Sequence, residues 1–503
     1  MANEFYDIVV IGGGSAGCVA AARLSEDPAR KVLLLEAGPD PQPLPEMVAD
    51  GLNGNRAILE SPYVVMYPTQ RRRDGSVYYP LSGRIMGGGS SVNMMAVVRP
   101  TQYDLDRWES FGNPGWSYED CLPVLKRMEN DHEFGGDSHH GATGPLNVTR
   151  RWDPSDPMAA PVEAFLERAK AFGYSVSRDR NVPDPSGIVV GASNIMDGKR
   201  QSAAVAYLAS ARRRPNLTIQ SDATVASLKV KNNSVYELEY EHDGSVISVA
   251  ADQFILCGGV YHSPQILMLS GIGSAVDLER LGVKPVHDLK GVGENYQDHA
   301  ALNMIFEGAS DFDPDWVVAG FQLVFKSDSA KPNGDFHIFM RAPIVVEGLR
   351  PMMPIAMNML EQHSPGRIYL ASTDVHALPV IDDGMLQHPE DMRAVRAAME
   401  FVSEFVNDDA IRPYFGTLIQ PAANEDWDEY AQTTYDSYHH GVGTCKMGSS
   451  ADGMAVVDSR LKVHGLDNLW VADASIMPTV THANTNVAAM MIAEKVSDFV
   501  RSA

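Results

Sequence analysis

The chain has 503 residues, 44% of them apolar, which is too long for one compact core and apolar enough for two. Its formal net charge is −24, and so acidic a surface repels phosphate backbones, which argues against nucleic acid as a partner. No stretch approaches the roughly 18 apolar residues of a membrane span, and no segment is biased enough to read as disordered.

The chain runs directly into an apolar strand, with no basic segment and no cleavage site, so a cytoplasmic location is expected. Residues 6–38 read YDIVVIGGGSAGCVAAARLSEDPARKVLLLEAG. A buried strand to Ile11 is followed by Gly12-x-Gly14-x-x-Gly17, an Ala-rich helix over 15–24, and a second buried strand over 31–35 ending in Glu36. Gly12 permits the tight turn, Gly14 lets backbone approach a pyrophosphate, and Gly17 lets the helix pack closely on the strand. The helix N-terminus offers N–H groups to phosphate. Glu36 accepts from a ribose diol, which favours FAD or NAD over NADP.

Later segments favour one long cofactor touched from several sides. Residues 83–93, GRIMGGGSSVN, form a loop with many free N–H groups. Residues 254–273, FILCGGVYHSPQILMLSGIG, read as a strand, a Gly258-Gly259 turn and a helix starting at Ser263-Pro264. Beyond residue 300, FQLVFKSD, GDFHIFMRAPI and GRIYLASTD alternate as strands do, and MRAVRAAMEFVSEFV reads as an amphipathic helix. Residues 437–448, SYHHGVGTCKMG, and 469–486, LWVADASIMPTVTHANTN, close the chain with a polar loop and a strand ending in Asp473. Cys18, Cys121, Cys257 and Cys445 form no C-x-x-C pair, so reduced thiols are expected, with neither disulfides nor a metal.

Across nearly its whole length the chain resembles the glucose–methanol–choline (GMC) oxidoreductase family. The N-terminal fingerprint, GR-x-x-GG-x-SS-x-N at 83–93, SPQILMLSGIG at 263–273, GVGENYQDH at 291–299 and the two C-terminal segments carry the likeness. Met86, Val260 and Gly441 are small departures. The resemblance implies an α/β fold, α+β overall: a Rossmann-like FAD-binding domain interleaved with a substrate domain of mixed or antiparallel sheet plus helices. The boundaries read as 1–299, with loop insertions around 133–190, then 300–438 for the substrate domain and 439–503 for the return to the FAD domain.

The resemblance further implies that Gly12, Gly14, Ser15, Ala16, Gly17, Glu36 and Ala37 hold the ADP half of FAD, and that Val225 contacts adenine through its backbone. Gly83, Met86, Gly88, Gly89, Asn93, Met94, Met95 and Ala96 would lie along the pyrophosphate and flavin. Gly258, Asp473, Ala474, Asn484 and Thr485 would complete the site. Some members attach FAD through a histidine just before the loop asparagine. Val92 stands there, so non-covalent FAD is expected.

Oxidising an alcohol needs a base, a hydride acceptor and a group to hold the oxygen. Flavin N5 is the acceptor, since no side chain can take a hydride. The family pattern assigns the base to His440 and its polar partner to Asn484, which also stands where it would N-cap the closing helix. His439 should point elsewhere. His482 reads either as structural or as reaching the active site, and a metal built from His439, His440 and His482 is not expected. Met340, Met352, Met353, Met357, Met359, Trp316 and Phe321 are candidates to line a pocket for an aromatic, furan- or pyridine-type primary alcohol, with loops at 133–160 and 180–190 at its entrance. Electrons would pass to O2, giving peroxide, or to another acceptor. The alternatives are a hydroxynitrile lyase, a choline dehydrogenase-type enzyme acting on a polar alcohol, or a non-catalytic flavin-binding protein.

Overall fold

Apolar runs bounded by glycine build the first unit. In a computed structural model that describes residues 5–70, 72, 74–150, 159–308 and 320–502, five strands run parallel in one sheet. Their spatial order is Leu217–Gln220, Val32–Leu35, Phe5–Ile11, Ser245–Leu256 and Leu469–Val471. The register aligns Ile11 with Leu35 and Leu256, and Leu256 with Val471. The residues that follow these strand ends, Gly12, Glu36, Cys257 and Ala472, therefore share one edge. Ligands bind at this carboxyl edge of open parallel sheets.

Helix Ser15–Leu24 starts at Gly14, and helix Thr485–Arg501 packs on it. Ser15 Oγ donates to Asn486 Oδ1 at 2.7 Å, and Arg23 pairs with buried Glu494 at 2.9 Å. Gly17 has a steric reason: a Cβ there would lie 1.7 Å from the Gly12 carbonyl oxygen.

The second unit is a mostly antiparallel sheet. Ala300–Glu307, Met352–Met359, Phe336–Met340 and Phe321–Phe325 lie side by side. Gly187–Val190 pairs with Phe321–Phe325, so the segment 180–190, expected as a loop, supplies a buried strand instead. Helices Pro389–Val406 and Ala160–Ala171 cover one face, with Phe165 meeting Phe321 and Phe405 at ring-centroid distances of 5.6 and 4.7 Å.

Strand alternation decides what the other face carries. Met353, Met357 and Met359 point into the helix-covered core and are at most 3% exposed. The expectation that they line a pocket is thus corrected, because the apolar face of this sheet is the one its helices bury. Met352 lies at the strand edge and is not part of the cavity wall, whereas Met340 and Phe321 sit in this core and also reach the wall. Trp316 lies outside the described residues. Among the described residues no helix is long and apolar enough to cross a membrane.

Candidate active site

A continuous cavity of about 1430 Å³ runs from the glycine turn to the second sheet. Gly12, Gly14 and Glu36 form one end; the segment 83–96, Val225 and Asp473 form its flank; His440 and Asn484 lie toward the other end. All but three of the cofactor positions expected from the sequence face it. Gly17 is turned to the Gly12 backbone. Met86 is buried with its sulfur 3.9 Å from Cys18, and Met95 is buried with its N–H on Asn93 Oδ1 at 3.0 Å.

The two glycine loops touch. A Cβ on Gly88, whose φ is +51°, would meet Gly14 Cα at 2.8 Å, so backbone alone forms this part of the wall. Glu36 receives the Gly13 and Gly38 N–H groups at 2.7 Å each. Burial pushes its pKa up to about 7 against those two donors. Asp473 accepts the Gly259 and Ser475 N–H groups and the Ser263 hydroxyl, and burial raises its pKa. Ser263 was expected to cap a helix. The helix instead begins at Gly259, and Pro264 sits inside it. Pro264 has no N–H for the Val260 carbonyl, and Thr444 Oγ1 donates to that carbonyl at 2.7 Å. A backbone surface free of side chains, a carboxylate poised for a diol and a long cavity ending at a polar pair fit FAD. Val92 supplies no nucleophile for a covalent link.

At the other end, two segments distant in sequence form one short ladder. Gln297 and Val442 exchange both backbone hydrogen bonds, at 3.1 and 2.8 Å, and the Gly293 N–H donates to Thr444 O at 2.8 Å. Gly443, at φ +95°, passes so close that a Cβ would lie 2.2 Å from Asn295 O. This ladder sets His299 beside His440, with 2.9 Å between their Nδ1 atoms. Asp298 holds both in place, accepting the His440 N–H at 2.9 Å, the His299 N–H at 2.7 Å, the Ser437 hydroxyl at 2.5 Å and the Tyr296 hydroxyl at 3.1 Å. Burial pushes the Asp298 pKa up to about 6.

The proton positions follow from one carbonyl. His299 Nε2 lies 2.8 Å from the Thr481 carbonyl, which can only accept, so Nε2 carries the proton. Burial lowers the His299 pKa to about 4 and holds His440 well below the usual histidine range, so both rings are neutral. His299 Nδ1 then accepts from His440 Nδ1–H. The lone pair of His440 is left on Nε2, where the Asn484 amide Nδ2 donates at 2.9 Å. Asn484 Oδ1 is buried without a partner in the protein. Asn484 stands at the N-terminus of the closing helix but makes no side-chain cap, so the expected capping role is corrected. Tyr438 packs edge-on against His440 at 4.5 Å, and its hydroxyl bonds with Asn484 and Gln322.

The other two histidines singled out from the sequence are accounted for. His439 has φ +65°, and its Nδ1 accepts the Leu81 N–H at 3.2 Å. His482 is bound to Asp104, Nδ1 to Oδ1 at 2.6 Å, so its ring is a structural one and is not aimed at His440. Among the described residues one group has metal-ligating spacing, Glu129, Asp131 and His140. Arg99 and Arg150 already pair with its carboxylates. Sequence reasoning missed His299, Asp298 and Tyr438. The quoted motifs ENYQDH and SYHH held them, but nothing in those strings says that they meet.

Models of the GMC oxidoreductase family match residues 6–301 and 362–493. Mitochondrial choline dehydrogenase of Homo sapiens is 35% identical, covering 99% of this chain and 90% of its own. Oxygen-dependent choline dehydrogenase 1 of Chromohalobacter salexigens is 33% identical, covering 99% and 95%. The crystal structure of pyridoxine 4-oxidase from Mesorbium loti superposes with a TM-score of 0.92 at 29% identity, covering 99% of both chains.

Proposed function

The chain belongs to the GMC oxidoreductase family, and from that premise we propose that it oxidises a small primary alcohol to an aldehyde with His440 as the base. It is an FAD-dependent alcohol oxidoreductase. The observation that carries the assignment of the base is the directed chain from the Thr481 carbonyl through His299 to His440, which leaves a lone pair on Nε2 at the cavity wall.

The protein's own groups then divide the work. Asn484 Nδ2–H, now on His440 Nε2, is positioned to hold the substrate oxygen instead. His440 Nε2 takes the hydroxyl proton, and His299 accepts at the far side of the ring as charge develops. Tyr438 fixes the ring plane by its edge-on contact. Bound FAD supplies the hydride acceptor. The reading includes O2 or another compound as the final electron acceptor and a cytoplasmic location, which four buried free cysteines support.

The test is anaerobic bleaching of the purified yellow protein by primary alcohols, followed by admission of air and a peroxide assay. Bleaching within seconds to minutes, and a colourless pellet after acid precipitation, are expected. A flavin that stays yellow with every alcohol would favour a lyase, and colour retained in the pellet would contradict non-covalent FAD.

A further inference from the structure

The second sheet presents a positively charged side chain, Arg341, to the cavity, among apolar residues and the amides of Asn303 and Gln322. Phe336, Ile338 and Met340 point into the core, so Phe339 and Arg341 point the other way, into the cavity. Arg341 extends the ladder by donating its N–H to Pro354 O at 3.0 Å. The Phe339 ring lies 6.5 Å from Tyr438, which covers His440. Arg341 is two residues further along the same face, a step of about 7 Å. That step is comparable to the length of a para-substituted benzyl ring.

Arg341 is exposed to the cavity and makes no ion pair with any described residue. The one carboxylate on this part of the wall among the described residues is Asp436, which is exposed and accepts the Ser437 N–H at 2.8 Å. Behind the wall Arg180 is 2% exposed and also lacks a carboxylate partner. Its guanidinium meets His337 Nε2 at 2.5 Å and the His482 carbonyl at 3.3 Å, and its Nε has no partner. Both guanidinium groups act on the Tyr438 hydroxyl, opposing the burial that keeps its pKa up at about 12. Asn303 and Gln322 add amide donors to the same wall.

We propose that the substrate alcohol carries an anionic group, such as a carboxylate, which Arg341 binds while the hydroxyl sits at His440. A planar guanidinium matches a carboxylate with two parallel hydrogen bonds. A quaternary ammonium alcohol would instead face the like charge of Arg341, with the Arg180 guanidinium buried behind the wall. The placement of the hydroxyl rests on His440 as the base, but the charge preference can be read without turnover.

The experiment is isothermal titration of the FAD-loaded protein with three ligands of one shape: 4-methylbenzoate, 4-methylbenzamide and (4-methylphenyl)trimethylammonium. The carboxylate should bind at least about tenfold tighter than the amide, as a charge-assisted pair implies. The Arg341→Met variant should reduce that advantage to less than about twofold. A cation that binds the wild-type protein as tightly as the carboxylate overturns the proposal, as does an advantage that survives Arg341→Met. If the variant fails to fold, the order of the three ligands on the wild-type protein decides. None of these ligands can be oxidised as an alcohol, so failure here leaves the role of His440 untouched, and failure of alcohols to bleach the flavin leaves the charge preference untouched.

Discussion

At the glycine end of the cavity, the buried carboxylates of the wall are met by backbone donors; at the histidine end, two buried amide oxygens of the wall have none. Glu36 holds two N–H groups, and Asp473 holds two N–H groups and a hydroxyl. Asn484 Oδ1 and Asn303 Oδ1 are buried with no partner in the protein. An unmade hydrogen bond costs stability and persists where a ligand completes it. The first end is built for a resident group and the second for a transient one. Perturbing them should therefore give different signatures.

The largest effect is expected at the transient end. His440→Ala removes the proposed base and should slow anaerobic flavin reduction by about 10² to 10⁴-fold, measured by stopped-flow absorbance, with FAD content unchanged. Near wild-type reduction in that variant would sink the assignment. At the resident end, Glu36→Gln removes the charge facing the Gly13 and Gly38 N–H groups. FAD affinity should weaken by roughly 10- to 100-fold in a titration of the apoprotein, the scale of a charge-assisted hydrogen bond. Flavin reduction at saturating FAD should barely change, and a large loss there would blur the contrast between the ends.

The smallest effect is in pH. The folded His440 is held well below its ordinary value of 6.5, so its base form persists as pH falls through 6.5. The acid limb of kcat/KM should lie below that pH, and a limb at or above it would contradict a buried neutral base. For stability the sign is the same. Unfolded histidine takes a proton from about pH 6.5 downward, whereas folded His299 does so only near about 4. The contribution of its burial is present above 6.5 and is lost as pH falls toward 4.

The two ends also differed in how far their sequence could be read. The helix over 15–24 and the strand ending at Leu35 lie where the glycine spacing put them, because a tight turn and a close helix–strand contact are decided within a few residues. The second sheet was legible as strands but not as faces. Alternation says that Phe339 and Met340 point opposite ways; it does not say which way the covering helix lies. Met353, Met357 and Met359, which read as pocket lining, turned out to be core, and Phe339 and Arg341 on the opposite face turned out to be wall. His299 stood in a quoted motif without a role, since its partner is 141 residues away.

By itself, then, the sequence determined the family and the cofactor, because the glycine fingerprint and the motifs that carry the family resemblance are short strings of adjacent letters. Only the tertiary structure decided which nitrogen of His440 keeps its lone pair, which sheet face lines the cavity, and that the Asn484 side chain meets a ring and not a helix end. Each of those depends on a carbonyl, a covering helix or an amide brought close by folding, and hydrogen-bond direction is set by what lies within about 3 Å in space.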